Sequence, residues 1–242
     1  MVHSVKVKVL VASLLVLSLA ATYVYFAYLA PRQLVLPPPS NQVVELPPPR
    51  LDGPMSLEEA IANRRSIRRY TDEPLTLQDL SQLLWAAQGI TDPERGFRAA
   101  PSAGATYPLE LYVVVGAGGV VGLPAGIYHY DPHEHAISLW LEGDLRDQLC
   151  EAALGQEWVR EAPISIVIAA AFERTTSRYG ERGIRYVYLE AGHAAENVYL
   201  QAVALGLGTV AVGAFYDSMV EEVLALPEDQ DPIYIMPVGH PA

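Results

Sequence analysis

Apolar and polar positions change pattern several times along this 242-residue chain, and the first change is the largest. From Val9 to Ala30, VLVASLLVLSLAATYVYFAYLA runs for 22 residues without a charge. A helix needs about 20 such residues to cross a hydrocarbon core. Tyr23, Tyr25, Phe26 and Tyr28 crowd the far end, as aromatic residues do at a membrane interface. Lys6 and Lys8 precede the run and Arg32 follows it, which predicts a membrane anchor over 1–30 with the domain on the extracytoplasmic side. A signal peptide cleaved near Ser18-Leu19-Ala20 is the competing reading. Residues 31–54 hold two triple prolines and predict a semi-rigid polyproline linker. The globular domain is then expected over 55–242.

Within that domain the periodicities alternate. SLEE at 56–59 has the form of a capping box and predicts a short helix to about Asn63. Thr76 is placed to cap a second helix, whose Leu77, Leu80, Leu84 and Ala87 fall at helical spacing before Gly89. LELYVVV (109–115) reads as a strand, and GIYHYDPHEHAISLWL (126–141) as a hairpin turning at Asp131-Pro132. PISIVIAAAF (163–172) lacks alternation and predicts a strand covered on both faces. A long helix follows, from about Glu181 to Leu207. Ile184, Val187, Tyr188, Ala191, Ala195, Val198, Ala202 and Leu205 form its stripe, and Leu189, Leu200 and Val203 lie elsewhere around it. A helix apolar on most sides belongs in a core or an interface. TVAV (209–212) predicts a short strand, Asp217 or Ser218 caps a helix to Leu226, and IYIMPVG (233–239) closes the chain as a strand. Helices and strands mix without a regular βαβ repeat, which points to the α+β class.

Composition narrows the chemistry. Hydrophobic residues make up 51% and charged residues 18%, enough for a full core, and the net charge of −12 argues against nucleic acid as a partner. The single cysteine, Cys150, excludes an intrachain disulfide and a multi-cysteine metal site, and reads as an inert core thiol. Lys6 and Lys8 are the only lysines, so the globular part has no amine for Schiff-base chemistry. GAGGVVG (116–122) lacks the third glycine and the following helix of a dinucleotide fingerprint and reads as a loop. His129, Asp131, His133 and His135 alternate along the hairpin, but its turn breaks their common face and no metal is expected. Glu190 and His193 have the spacing of half a di-iron motif whose second half is missing. No G-x-S-x-G elbow supports a hydrolase.

Against this acidic background, NRRSIRRY (63–70) sets four arginines in six positions where a helix ends. Guanidinium groups suit bidentate contact with a phosphate, and Ser66 adds a hydroxyl donor among them. RRSIRRY, APSAGATYPLELYVVV, GIYHYDPHEHAISL, the long segment FERTTSRYGERGIRYVYLEAGHAAENVYLQAVALGLGTVAVGAF and YIMPVGHP occur in that order over 55–242. Together they resemble the nitroreductase superfamily of FMN flavoproteins, and within it the SagB-type branch that includes azoline dehydrogenases of modified peptides.

The resemblance implies an α+β nitroreductase-like fold, a central mixed sheet flanked by helices, built as a homodimer with the long helix in the interface. It implies FMN held by Arg64 and Ser66 at the phosphate, with Arg65 beside them and Arg68 at the pyrimidine edge. Pro101, Ser102, Ala103 and Gly104 would line the flavin, and a backbone N–H at Gly213 or Ala214 would address its N5. His240 stands where a late Arg or Lys usually completes the phosphate site. Arg178-Tyr179 stands where azoline dehydrogenases carry a proposed proton-handling Lys-Tyr pair; Tyr179 can donate a proton, whereas an arginine is a poor base. Arg69 has no counterpart role and reads as a surface charge. The implied activity is ping-pong hydride transfer through flavin N5, with NAD(P)H a candidate donor and a small molecule or peptide as substrate. Azoline oxidation and a flavin-free scaffold are the alternatives.

Overall fold

The computed structural model describes residues 42–242, so the apolar run, its flanking charges and the first triple proline lie outside the described residues. No helix among the described residues is long and apolar enough to cross a membrane. The centre is a seven-stranded sheet. Its strands are β1 (Val43–Glu45), β4 (Leu109–Val115), β5 (Gly126–Asp131), β6 (Ala136–Glu142), β7 (Ile164–Ala170), β8 (Gly208–Thr209) and β9 (Asp231–Gly239), in spatial order β1-β6-β5-β4-β7-β9-β8. β2 (Ile90–Asp92) and β3 (Phe97–Arg98) form a separate small ribbon.

Every strand pairing in the main sheet is antiparallel, which corrects the mixed sheet implied by the resemblance. β4, β5 and β6 follow one another as a meander, and consecutive strands joined by short turns can only run antiparallel. Among the described residues, parallel geometry is confined to two single bridges, Ser66–Thr209 and Leu75–Val120. The first of these lies in the candidate site.

Helices cover both faces. α1 (Leu57–Asn63), α2 (Leu77–Gln88) and α6 (Arg182–Ala204) belong to one side. α3 (Arg146–Ala152), α4 (Glu157–Glu161) and α7 (Asp217–Leu224) belong to the other, and α5 (Glu173–Tyr179) leads from β7 into α6. β4 shows the division residue by residue: Leu111, Val113 and Val115 pack with α2 and α6, while Tyr112 and Val114 pack with α3 and α7. All seven residues of β7 are buried, as the unbroken apolar run predicts. Ser56 and Thr76 form the expected capping boxes of α1 and α2. Tyr216, not Asp217 or Ser218, occupies the N-cap of α7, and Gly206 in the left-handed region ends α6 earlier than the pattern suggested. Cys150 is buried, and burial raises its thiol pKa.

The linker boundary at residue 54 is also corrected. Val43, Val44 and Glu45 pair with Ser138, Ile137 and Ala136 of β6, and Leu46 joins the core. Burying that leucine contributes roughly 2 kcal/mol. The Pro47 carbonyl accepts from Ser81 Oγ at 2.5 Å, and Arg50 and Gln82 exchange two hydrogen bonds of 2.8 and 3.0 Å. Extended prolyl segments keep their carbonyls free, so the second triple proline is laid against α2.

Candidate functional site

α1 ends at Arg64, whose extended ψ of 125° turns the chain along β8. Ile67 N–H donates to Thr209 O at 2.9 Å, and Tyr70 pairs with Pro241. Tyr70 Oη donates to Ile67 O and Pro237 O at 2.7 and 3.1 Å, and burial raises its pKa. This bracing fixes the arginine turn against the sheet.

Arg64 lies 5.0 Å above the Tyr199 ring of α6, with Nε 3.8 Å from the exposed Glu196 carboxylate. Tyr199 Oη accepts from Ala211 N at 2.7 Å and meets Ser66 Oγ at 3.2 Å. When Tyr199 donates in that contact, the Ser66 proton is free for a ligand. Thr209 Oγ1 beside them is buried without a partner. A guanidinium and two hydroxyls converge where the resemblance implies a phosphate. Arg68 lies 5.6 Å from the Trp158 ring of α4, and the adjacent Gln156 donates to Ala214 O at 2.8 Å. That arm links the arginine turn to the exposed Gly213-Ala214 segment.

Two expected members do not join. Arg65 Nη1 turns back onto the Ala62 and Arg64 carbonyls at 3.0 and 2.6 Å, closing the end of α1. The His240 imidazole faces Glu73, 4.0 Å away, while its carbonyl pairs with Thr71 N–H. Arg69 is exposed, as its reading as a surface charge requires.

The second cluster is built on the loop after β3. Pro101 and Ser102 lead into a single 3-10 turn, Ala103–Ala105, and Gly104, Ala105 and Tyr107 have φ of 61°, 53° and 44°. Left-handed backbone at a non-glycine residue costs of order 1 kcal/mol and persists only when its surroundings impose it. Here they do. Ser102 Oγ accepts from Tyr107 N at 2.9 Å, and Thr106 Oγ1 meets Thr175 Oγ1 at 2.8 Å. Arg178 Nη1 donates to Gly104 O at 2.8 Å, and Arg174 Nη1 to Tyr107 O at 3.1 Å. A Cβ at Gly104 would lie 2.5 Å from Tyr179 Oη and 2.8 Å from Arg178 Nη1, so both side chains close over this residue. Tyr179 stands edge-on to Tyr186 at 5.2 Å. Arg178 and Tyr179 therefore join the 101–104 loop, with Arg178 as a fixed cation on its carbonyl.

Behind the loop is a polar layer that pattern reading did not single out as part of the site. Arg98 stacks 4.6 Å from the Tyr107 ring and donates to Gln88 Oε1 at 3.0 Å; burial lowers its pKa. Arg174 and His129 both contact Glu110, at 2.6 and 2.7 Å. Burial pushes the Glu110 carboxyl up, but these hydrogen bonds outweigh it and leave the pKa below its usual value. His129 is thus engaged by Glu110, and His135 by Tyr130 and Ser81. Among the described residues no three His, Cys, Asp or Glu side chains are placed to hold a metal ion.

Tyr199 and Glu190 mark where the two clusters meet α6, nine residues apart, about 13 Å along its axis. Val187, Ala191, Ala195, Val198 and Ala202 of the stripe are buried, whereas Ile184, Tyr188 and Leu189 are exposed. The chain by itself buries one face of this helix and leaves apolar side chains on another.

Residues 61–240 match the model of a family described as the nitroreductase family. A protein of Methanocaldococcus jannaschii, MJ1384, assigned as a nitroreductase, is 52% identical over 76% of this chain and 91% of its own length. The FMN reductase [NAD(P)H] of Bacillus subtilis is 26% identical over 76% of this chain and 65% of its own. The trifolitoxin-processing protein TfxB of Rhizobium leguminosarum bv. trifolii is 35% identical over 53% of this chain, but only 35% of its own length. A crystal structure from Ralstonia eutropha, also assigned as a nitroreductase, superposes with a TM-score of 0.72 at 34% identity, covering 86% of this chain and 95% of that one.

Proposed function

The chain belongs to the nitroreductase family, and from that premise we propose that it is an FMN-dependent oxidoreductase. The observation that carries the reading is the convergence of Arg64 and Ser66 on Tyr199. Their donors match a phosphate monoester, and Arg64 has no competing carboxylate closer than 3.8 Å. Arg64 and Ser66 would hold that phosphate, with Arg68 and the Gly213-Ala214 backbone toward the ring. Pro101 to Gly104 would form the wall against it. FMN supplies the hydride chemistry when bound.

The chain's own residues have narrower tasks. The constrained 101–107 turn presents small residues and backbone to a flat ligand. Arg178 keeps the Gly104 carbonyl in place as a permanent cation. Tyr179, at the same turn, is the group able to donate a proton. The two clusters lie on separate stretches of α6, and its apolar residues Ile184, Tyr188 and Leu189 are exposed. Both features support a homodimer in which one chain's arginine turn faces its partner's loop.

The test is a visible spectrum of the purified protein, followed by anaerobic NADH and NADPH additions. A flavin band bleached by a nicotinamide is the expected result. A colourless protein that stays so with added FMN rules the reading out and leaves a scaffold. The second reading is oxidation of azoline rings in a modified peptide, favoured by the similarity to a peptide-toxin-processing protein. Bleaching by a thiazoline peptide and not by nicotinamides would select it. Arg178 weighs against it, since a guanidinium engaged on Gly104 O cannot act as a base.

From the sequence we also propose that an N-terminal anchor holds this domain on the outer side of a membrane. The full-length chain is expected to stay in the pellet after a carbonate wash; its release would end the anchor reading.

A further inference from the structure

The arginine turn offers a ligand fewer donors than its sequence suggests. Arg65 Nη1 is engaged at the end of α1, and the His240 imidazole faces Glu73. Arg64 and Ser66 remain, and both meet the same side chain of α6. Tyr199, only 8% exposed, lays its ring 5.0 Å beneath the Arg64 guanidinium and brings its hydroxyl to 3.2 Å from Ser66 Oγ.

Counting hydrogens gives that last contact a direction. A phenol carries one proton. The Ala211 N–H donates to Tyr199 Oη at 2.7 Å, and a backbone donor cannot reverse its role. Were Ser66 to donate to the phenol as well, the Tyr199 proton would have no acceptor among the described residues. A buried donor left unpaired is costly. The arrangement that satisfies each group runs one way, from Ala211 N–H to Tyr199 O–H to Ser66 O–H. The Ser66 proton is then left for a ligand oxygen. Hydrogen bonds in series polarise one another, so the last hydroxyl becomes a better donor to an anion.

We propose that Tyr199 is a positioning residue that sets phosphate specificity: its hydroxyl turns the Ser66 proton outward, beside the guanidinium that its ring carries. The chain then prefers FMN to riboflavin in part through a residue that touches neither. This rests on the reading of the arginine turn as the FMN phosphate site.

The test uses Tyr199→Phe, which keeps the ring under Arg64 and removes the hydroxyl. FMN and riboflavin affinities are measured by flavin fluorescence on the full-length wild type and variant. Ala211 lies two residues before Gly213, so any loosening of the ring end acts on both ligands. Riboflavin reads that loosening alone, and the ratio of the two affinities reads the phosphate end. The preference for FMN is expected to fall about three- to tenfold, the size of one hydrogen bond. A preference that stays at the wild-type value overturns the proposal, even if both ligands weaken together, since that is what a purely structural hydroxyl would give. In a Ser66→Ala background, Tyr199→Phe is expected to leave the preference where Ser66→Ala alone puts it. A further fall there would mean that Tyr199 does not act through Ser66, and also overturns the proposal.

The two levels of the reading fail differently. Wild type that binds FMN no more tightly than riboflavin removes the phosphate site and this proposal with it. A wild-type preference that Tyr199→Phe retains removes this proposal alone. A second measurement needs no flavin. The Ala211 amide is expected to exchange its hydrogen faster in flavin-free Tyr199→Phe than in flavin-free wild type. Equal exchange would mean that the phenol takes no proton from the backbone, and the direction assigned to the relay would fall.

Discussion

Arg64→Ala combined with Ser66→Ala is expected to weaken FMN binding by about two to three orders of magnitude. A hydrogen bond between a guanidinium and a phosphate contributes about 1.5–3 kcal/mol, and one from a hydroxyl about 1 kcal/mol. Their sum of roughly 2.5–4 kcal/mol corresponds to that change in Kd. The structure makes the loss specific to the ligand. Arg64 has a third of its side chain exposed, meets Glu196 loosely and lies over the face of the Tyr199 ring. Ser66 is exposed and touches Tyr199 at 3.2 Å. Removing them opens no core cavity, so the denaturation midpoint should stay within about 0.5 kcal/mol of wild type. Riboflavin, which lacks the phosphate, separates the two halves of the site. Its weaker binding should be the same in wild type and variant. Loss of riboflavin binding to the same degree would mean that the arginine turn acts on the ring. Unchanged FMN affinity would mean that the phosphate sits elsewhere.

Arg64 and Ser66 stand out in the sequence because charge is concentrated there against an acidic background, and the structure brings both to Tyr199. Most main-sheet strands and the three longest helices were legible for a related reason: their periodicity is local. Three kinds of feature were not. β1 hides in a proline-rich stretch, and only its pairing with β6 distinguishes Val43–Glu45 from spacer. α3, α4 and α5 are five to seven residues long and lack a side-chain N-cap bond, so neither period nor capping announces them. α5 is nonetheless what carries Arg178 and Tyr179 to the loop. Tyr199 and Thr209 meet the arginine turn through contacts that cross 133 residues of chain or one β-bridge, and a hydroxyl on a buried helix or strand is the faint signal they leave. Arg65 stands apart from its neighbours: its Nη1 donates to the free carbonyls at the end of α1, a contact the charge pattern does not reveal.

Glu190→Gln is expected to stabilise the protein above neutral pH and leave it unchanged below about pH 4.5. The Glu190 pKa rises from 4.5 to about 7 on folding, mainly through burial. Between those two values the folded chain holds a proton that the unfolded chain has released. Stability attached to this group is therefore full below pH 4.5, declines as pH rises through the window, and is gone above about 7. The shift, which already includes the opposing pull of Ser102 and Arg98, corresponds to roughly 3 kcal/mol. A gain of up to about 3 kcal/mol at alkaline pH should appear as a higher urea midpoint with an unchanged slope. Glu110 does not confound the measurement, because its carboxyl is shifted in the opposite direction. The stability it lends is present above the usual carboxylate range and lost only as pH falls below it, so its limb lies on the acid side of the Glu190 window. A wild-type stability that stays flat across the window, or a variant that still declines there, would show that the carboxyl at 190 ionises at its ordinary pH. The core behind the 101–107 turn would then be wetter than its 2% exposure at that residue implies.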